Sequence, residues 1–183
     1  MLWGTPNGAL ELRSEGGATR LRAVFPYGAE TELATGRYEV IASRAFAGRI
    51  NAGDDIHLLS GHDYQKPLAS RAAGTLRLTD GNDALIIDAT IDDGTTWARD
   101  FLAAHKAGLV RGLSPGFRVD DAGERIERRS NGVLRTVISA SLFELSAVTR
   151  PAYPQAQIEA RSWQAGIVAD SVKSTHALNR WRL

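Results

Sequence analysis

Three short stretches hold residue types that can do chemistry together. Gly112-Leu113-Ser114-Pro115-Gly116 sets a serine hydroxyl at the G-x-S-x-G spacing of a nucleophile elbow. Leu58-Leu59-Ser60-Gly61-His62-Asp63 is an apolar run ending in Gly-His-Asp, a place where a rigid strand end can hold an imidazole towards a cleft. In Leu142-Phe143-Glu144-Leu145-Ser146-Ala147-Val148, one carboxylate stands among apolar residues. A serine, a histidine and a carboxylate are the nucleophile, general base and orienting group of acyl transfer.

Each stretch also has a plainer reading. The elbow motif requires a strand before the serine and a helix after it, with the histidine later in the chain. Here a helical pattern precedes Ser114, β-prone residues follow it, and the only later histidine is His176. That order argues against a small esterase of the α/β-hydrolase kind, and the plain alternative is a Ser-Pro-Gly turn. For His62 the plain alternative is a structural histidine. Strand alternation puts His57 and Asp63 on one face and His62 on the other, a poor facial metal site, and no metal-ligand spacing such as HExxH occurs. No metal or cofactor is therefore expected. Asp63 reads equally as a turn residue or surface charge. In the third stretch, alternation puts Leu142, Glu144, Ser146 and Val148 on one face, and Phe143, Leu145 and Ala147 on the other. An unpaired charge is costly to bury, so a buried Glu144 needs a partner, and an imidazole would serve. The alternative is a solvent-facing glutamate.

The elements that must position these groups read mostly as strands. Leu21–Tyr27, Tyr38–Ala42, Ile56–Leu59, Gly116–Val119, Leu134–Ile138 and Ser141–Val148 are β-prone, and Asn131-Gly132 marks a hairpin turn. Thr75–Leu78 and Leu85–Ile91 flank Asp80-Gly81 as a second hairpin, with Leu85, Ile87, Ala89 and Ile91 alternating against more polar neighbours. Arg44–Asn51 reads as a short helix with Ser43 as its N-cap. The convincing helix is Thr96–Ala107, capped by Thr95, with Trp97, Phe101, Leu102 and His105 near one face and Gly108 as its stop. The fold class expected is β-rich α+β: a closed or barrel-like, mostly antiparallel sheet with a few peripheral helices.

The chain has 183 residues, enough for about one domain, with 43% hydrophobic and 23% charged residues and a net charge of +1. The charge balance gives no strong pull towards nucleic acid phosphates. No apolar run approaches the roughly 20 residues that span a bilayer. With no cysteine there is no disulfide, thiolate nucleophile or Cys-ligated zinc. Residues 1–18 are Gly-rich and read as a flexible leader or an edge strand, without the pattern of a secretory signal. Residues 19–160 carry the domain. Residues 161–183 form a polar tail with Arg161, Lys173, Arg180 and Arg182 against Asp170.

Taken in order, the motifs resemble those of the tailed-bacteriophage prohead (capsid maturation) serine proteases, distant relatives of the herpesvirus assemblins. The landmarks are Ala45-Phe46, Leu58–Asp63 with Pro67-Leu68, Ile91-Asp92-Asp93-Gly94, Lys106-Ala107-Gly108, Gly112–Phe117, and Leu142–Val148 followed by Thr149-Arg150-Pro151-Ala152-Tyr153-Pro154. They cover roughly residues 20–161. Two positions depart from the family pattern. Pro115 stands where an aromatic or another residue is usual, and Gly61 where asparagine or a similar residue is usual.

The resemblance implies Ser114 as nucleophile, His62 as general base and Glu144 as the third member, in place of the second histidine of the herpesvirus enzymes. It points to Arg150 as the oxyanion-hole candidate, the nearest counterpart of the arginine-rich segment that follows the third member in the herpesvirus enzymes; Pro115 removes one N–H beside the nucleophile. It implies a scaffolding protein, or the scaffold-like domain of the major capsid protein, as substrate inside the procapsid in the host cytoplasm. It implies self-cleavage as well, with the basic tail as a packaging signal or a cleavage target. Dimerisation activates the herpesvirus relatives, which leaves a homodimer open here. The alternative from another class is a non-catalytic capsid assembly protein of the same fold.

Overall fold

The computed structural model describes residues 9–15 and 18–150. Along the chain the strands are β1 (Ala9–Glu15), β2 (Ala18–Pro26), β3 (Glu30–Ala34), β4 (Arg37–Ile41), β5 (His57–Ser60), β6 (Asp63–Ser70), β7 (Leu76–Asp80), β8 (Ala84–Ile91), β9 (Gly112–Val119), β10 (Glu124–Arg129), β11 (Gly132–Val137) and β12 (Ala140–Val148). Helix α1 (Ala47–Ala52) lies between β4 and β5, and α2 (Thr96–Lys106) between β8 and β9.

The strands form three four-stranded sheets, ordered β1-β2-β8-β7, β10-β11-β4-β3 and β6-β5-β12-β9. Pairing is mostly antiparallel, with β11 against β4 and β12 against β5 as the parallel exceptions. The β-rich, mostly antiparallel expectation with few helices therefore holds. The ladders among the described residues do not close into a barrel. Residues 9–15, expected to be a leader or an edge strand, pair with β2 at a sheet edge. The tail 161–183, His176 and the Pro151–Pro154 landmark lie outside the described residues.

The core follows from alternation. Leu85, Ile87, Ala89 and Ile91 of β8 are all buried, as are Leu21, Ala23 and Phe25 of β2 opposite them. Phe46 is the hub where the sheets meet. Its ring lies 6.1 Å from Phe25 and from Tyr27, and 5.4 Å from Phe117 on β9. Large aromatic rings at such spacing gain contact energy beyond simple burial, and here they tie the serine-bearing strand to the rest of the core.

Helix α2 begins as its sequence predicts: Thr95 Oγ1 accepts the Ala98 N–H at 3.3 Å. It ends in a Schellman pairing, with Leu109 N–H donating to the Ala104 carbonyl and Gly108 N–H to that of His105, each at 2.8 Å. Phe101 is buried, and Trp97 Nε1 donates to the Pro67 carbonyl at 2.8 Å, which holds β6 from outside.

Two local expectations are corrected. Ser43 does not cap α1. Arg44 adopts a φ of 56°, which breaks the helical path, so the helix starts at Ala47 and Ser43 Oγ donates to the Asn82 carbonyl at 2.6 Å. The hairpin expected to turn on Asn131-Gly132 turns on Ser130-Asn131, because Arg129 already faces Gly132 in the ladder. Gly132 (φ 145°) belongs to β11, where a Cβ would sit 2.0 Å from the Gly36 carbonyl oxygen. Its role is close backbone approach as well as turning.

Candidate active site

The third sheet carries all three chemical stretches. Ser114 lies on the edge strand β9, Glu144 on β12 beside it, and His62 at the corner between β5 and β6, one strand further over. Ser114 is therefore within a strand, not in a Ser-Pro-Gly turn and not on a strand-to-helix elbow. Phe117 to Val119 continue that strand, which removes the α/β-hydrolase alternative.

The register sets the neighbours. Ser114 faces Ser146, and Gly116 faces Glu144. Directly opposed residues put their side chains about 5 Å apart on one face. Gly116 leaves the room that Glu144 fills: a Cβ there would sit 2.0 Å from Glu144 Oε1. Pro115 is tolerated for a different reason. The Ala147 carbonyl accepts the Gly61 N–H, on the β5 side of β12. By alternation Ser146 turns its backbone to β9, and Ser114 opposite it turns its own to β12. Pro115, one residue on, then turns its nitrogen away from β12, so the β9–β12 ladder loses no bond to its missing N–H.

Strict alternation fails at one step of β12. The ladder with β9 shifts between Leu142 and Glu144, making Phe143 the extra residue of a bulge. Leu142 consequently joins Leu145 and Ala147 in the core, and not the Glu144 face as expected. Phe143 is exposed, with the Arg49 guanidinium 4.7 Å from its ring centre. Glu144 is buried, not solvent-facing, at 5% exposure.

His62 sits in a two-residue turn between Ser60 and Asp63, which face each other in the ladder. Gly61 and His62 have φ of 69° and 62°. Two consecutive positive values are what a type I′ hairpin turn needs, and histidine is among the few side chains enriched there. The turn lifts His62 out of the alternation assumed from sequence. Its Nδ1 and Glu144 Oε1 are 2.7 Å apart.

Ser146 completes the arrangement. Its Oγ donates to Glu144 Oε2 at 2.6 Å and accepts the His62 backbone N–H at 3.0 Å. A backbone N–H can only donate, so the serine's single hydroxyl proton must go to the carboxylate. Glu144 thus accepts on Oε2 and, as a carboxylate, accepts Nδ1–H on Oε1. In that tautomer Nε2 carries the lone pair. His62 Nε2 and Ser114 Oγ are both buried, and neither has a hydrogen-bond partner among the described residues. Buried polar atoms are normally satisfied, so two exceptions on one sheet face stand out.

The other residues considered lie elsewhere. His57 turns to Asp55, with Nε2 3.5 Å from its carboxylate, and packs edge-on against Tyr64. Asp63 is a surface charge that accepts the Gln65 N–H and pairs with Lys66 Nζ at 3.2 Å; together these hold its carboxyl below the usual range. Arg150 is exposed in the bend after β12. Burial raises the Tyr64 phenol, and the nearby Glu144 charge adds to it. No group of three or more metal-ligating residues occurs among the described residues.

Ser146 and Gly116 were missed as site residues from sequence. The alternation did place Ser146 on the face of Glu144, but a serine in a strand carries no signal of its own.

The family model for caudovirus prohead serine proteases matches residues 10–169. The chain belongs to that family. It is therefore a serine peptidase, a hydrolase of bacteriophage capsid maturation, and its substrate class is capsid proteins. The family places it inside the procapsid. Nothing matches among curated proteins or solved structures. No helix among the described residues is long and apolar enough to cross a membrane.

Proposed function

We propose that Ser114, His62 and Glu144 form the catalytic triad of this prohead protease. The observation that carries the reading is the 2.7 Å contact between His62 Nδ1 and Glu144 Oε1, with His62 Nε2 and Ser114 Oγ both left without partners among the described residues. Ser114 Oγ attacks the scissile carbonyl carbon while Nε2 takes its proton, and the carbonyl π pair moves to oxygen. Collapse of that oxyanion breaks the C–N bond, and Nε2–H gives its proton to the leaving amine. A water, deprotonated by Nε2, then attacks the acyl ester; the bond from the acyl carbon to Oγ breaks, and Nε2–H returns the proton to Ser114 Oγ. Glu144 holds the Nδ1 proton throughout and stabilises the imidazolium.

The oxyanion needs N–H donors, each worth about 3 kcal/mol in the barrier. Ser114 turns its own N–H to the ladder and Pro115 has none. On the sequence resemblance we assign the donor to the segment after β12, at Arg150. The substrate is the scaffolding protein or the scaffold-like domain of the major capsid protein, cut within the procapsid in the host cytoplasm, together with the enzyme itself. The stretch 161–183 is read as a packaging signal or self-cleavage target. Kinship with the herpesvirus assemblins, and with it a homodimer, rests on the sequence resemblance.

A serine-directed organophosphorus fluoride tests the triad without a known substrate. Attack by Ser114 Oγ on phosphorus expels fluoride and leaves a phosphoryl adduct on the peptide containing residue 114. The adduct is expected in the wild type, and lost in Ser114→Ala and in His62→Ala. Labelling elsewhere, or labelling that survives His62→Ala at the same rate, contradicts the assignment.

A further inference from the structure

We infer that Ser146 is a positioning residue of this active site, a fourth member that fixes both the carboxylate and the backbone of the catalytic histidine. The inference rests on the triad proposed above. Ser146 is fully buried and is directly opposite Ser114 in the β9–β12 ladder. Its one hydroxyl makes two bonds that point to different parts of the machinery. The hydrogen goes to Glu144 Oε2 at 2.6 Å, and the oxygen takes the His62 N–H at 3.0 Å.

Each bond answers a specific need. A glutamate side chain ends in a rotatable carboxylate, and one contact to Nδ1 would leave it free to swing. Anchoring Oε2 leaves Oε1 fixed for Nδ1. His62 is held at a φ of 62°, a backbone conformation that costs a non-glycine residue energy and persists only where its surroundings hold it. The Gly61 N–H to Ala147 carbonyl bond, at 3.1 Å, secures the first residue of that turn. Ser146 secures the second. Outer partners orient the groups that do chemistry; around metal sites losing one costs about tenfold to a hundredfold in function, and a loss of that size is expected here. With Glu144 ionised, both of its oxygens accept, Oε2 from Ser146 and Oε1 from Nδ1–H, and Nε2 then carries the lone pair.

The test uses the full chain and the variants Ser146→Ala, Ser146→Thr and Ser114→Ala. Cleavage of co-purified capsid substrate gives kcat and KM, and proton NMR follows the downfield His62 Nδ1–H resonance, assigned by its loss in His62→Ala. Ser146→Ala is expected to lower kcat by about tenfold to a hundredfold, leave KM within about twofold, and broaden or erase the resonance. Ser146→Thr, which keeps the hydroxyl, is expected to retain the resonance. A kcat within twofold of wild type with the resonance intact in Ser146→Ala overturns the inference, even while Ser114→Ala is inactive and the triad stands. Failure of the triad itself shows differently, as cleavage that persists in Ser114→Ala. The NMR arm still reads Ser146 in that case.

Discussion

At the scale of single residues, the site is a chain of hydrogen-bond polarities. It runs from the His62 amide through Ser146 to Glu144 and back to the His62 ring. Only one proton arrangement satisfies it with an ionised carboxylate. Glu144→Gln breaks that arrangement, because a carboxamide cannot accept on both ends. The Ser146 hydroxyl would face an NH2 group, or the ring would lose its acceptor. The expected outcome is a fall in kcat of about a thousandfold or more, with the thermal midpoint changed little. Steady-state cleavage beside a melting curve checks this, and a fall below tenfold would mean that Glu144 does not orient His62. Much of the candidate site was legible in the sequence, Ser114 by its G-x-S-x-G spacing, His62 at the Gly-His-Asp end of an apolar run, and Glu144 as a lone carboxylate among apolar residues. Ser146 was not. Its importance lies in what it touches, and the pairing that brings β12 between β5 and β9 spans more than 80 residues of sequence.

At the scale of elements, the decisive features are a glycine on one strand and a bulge on its neighbour. Gly116 allows the Glu144 carboxylate to lie over β9. Gly116→Ala is expected to push that carboxylate away from His62 and to lower kcat by at least tenfold, while the strand itself keeps its pairing. Unchanged activity in Gly116→Ala would show that the carboxylate has another place to go. The same scale shows which elements the sequence concealed. β3, β6 and β10 were not anticipated, and β1 only as one of two alternatives. All four are edge strands. An edge strand exposed on both faces, as β10 is, has no reason to alternate. β10 reads Glu-Arg-Ile-Glu-Arg-Arg and is exposed along most of its length. Charged edges of this kind also discourage pairing with other chains. β8, with a neighbour on each side, alternates cleanly and was visible at once. The bulge at Phe143 was hidden for another reason: a one-residue slip in register is a property of two strands, and neither sequence alone records it.

At the scale of the whole molecule, a second buried charged group lies in the sheet β10-β11-β4-β3. Arg135 of β11 pairs with Glu39 of β4 at 3.3 Å and with Glu124 of β10 at 2.6 Å. Burial lifts the Glu39 carboxyl from 4.5 to about 7, with Glu124 adding to the rise and Arg135 opposing it. A raised pKa means that the folded state binds more protons than the unfolded one between those values. This group's contribution to stability is therefore greatest below about pH 4.5, and is lost as pH rises towards 7. Asp120 acts oppositely and in a lower range. Hydrogen bonds from Ser139 and Ser141 hold its carboxyl below the usual value, so its contribution is lost only under acid. Glu39→Gln is expected to flatten the decline in stability between pH 5 and 7, with activity unchanged because no site residue touches it. Denaturant midpoints across that range check it, and an unaltered slope would contradict it. The fold class was legible in the strand-rich pattern. The division into three sheets was not, because it depends on two parallel pairings between segments far apart in the chain.

The most direct measurement is intact mass after co-expression with the capsid and scaffold proteins, for the wild type and for Ser114→Ala. Discrete truncated products are expected in the wild type alone, and full-length masses throughout with Ser114→Ala. The same truncated products in both would contradict this, because another residue would then be making the cut.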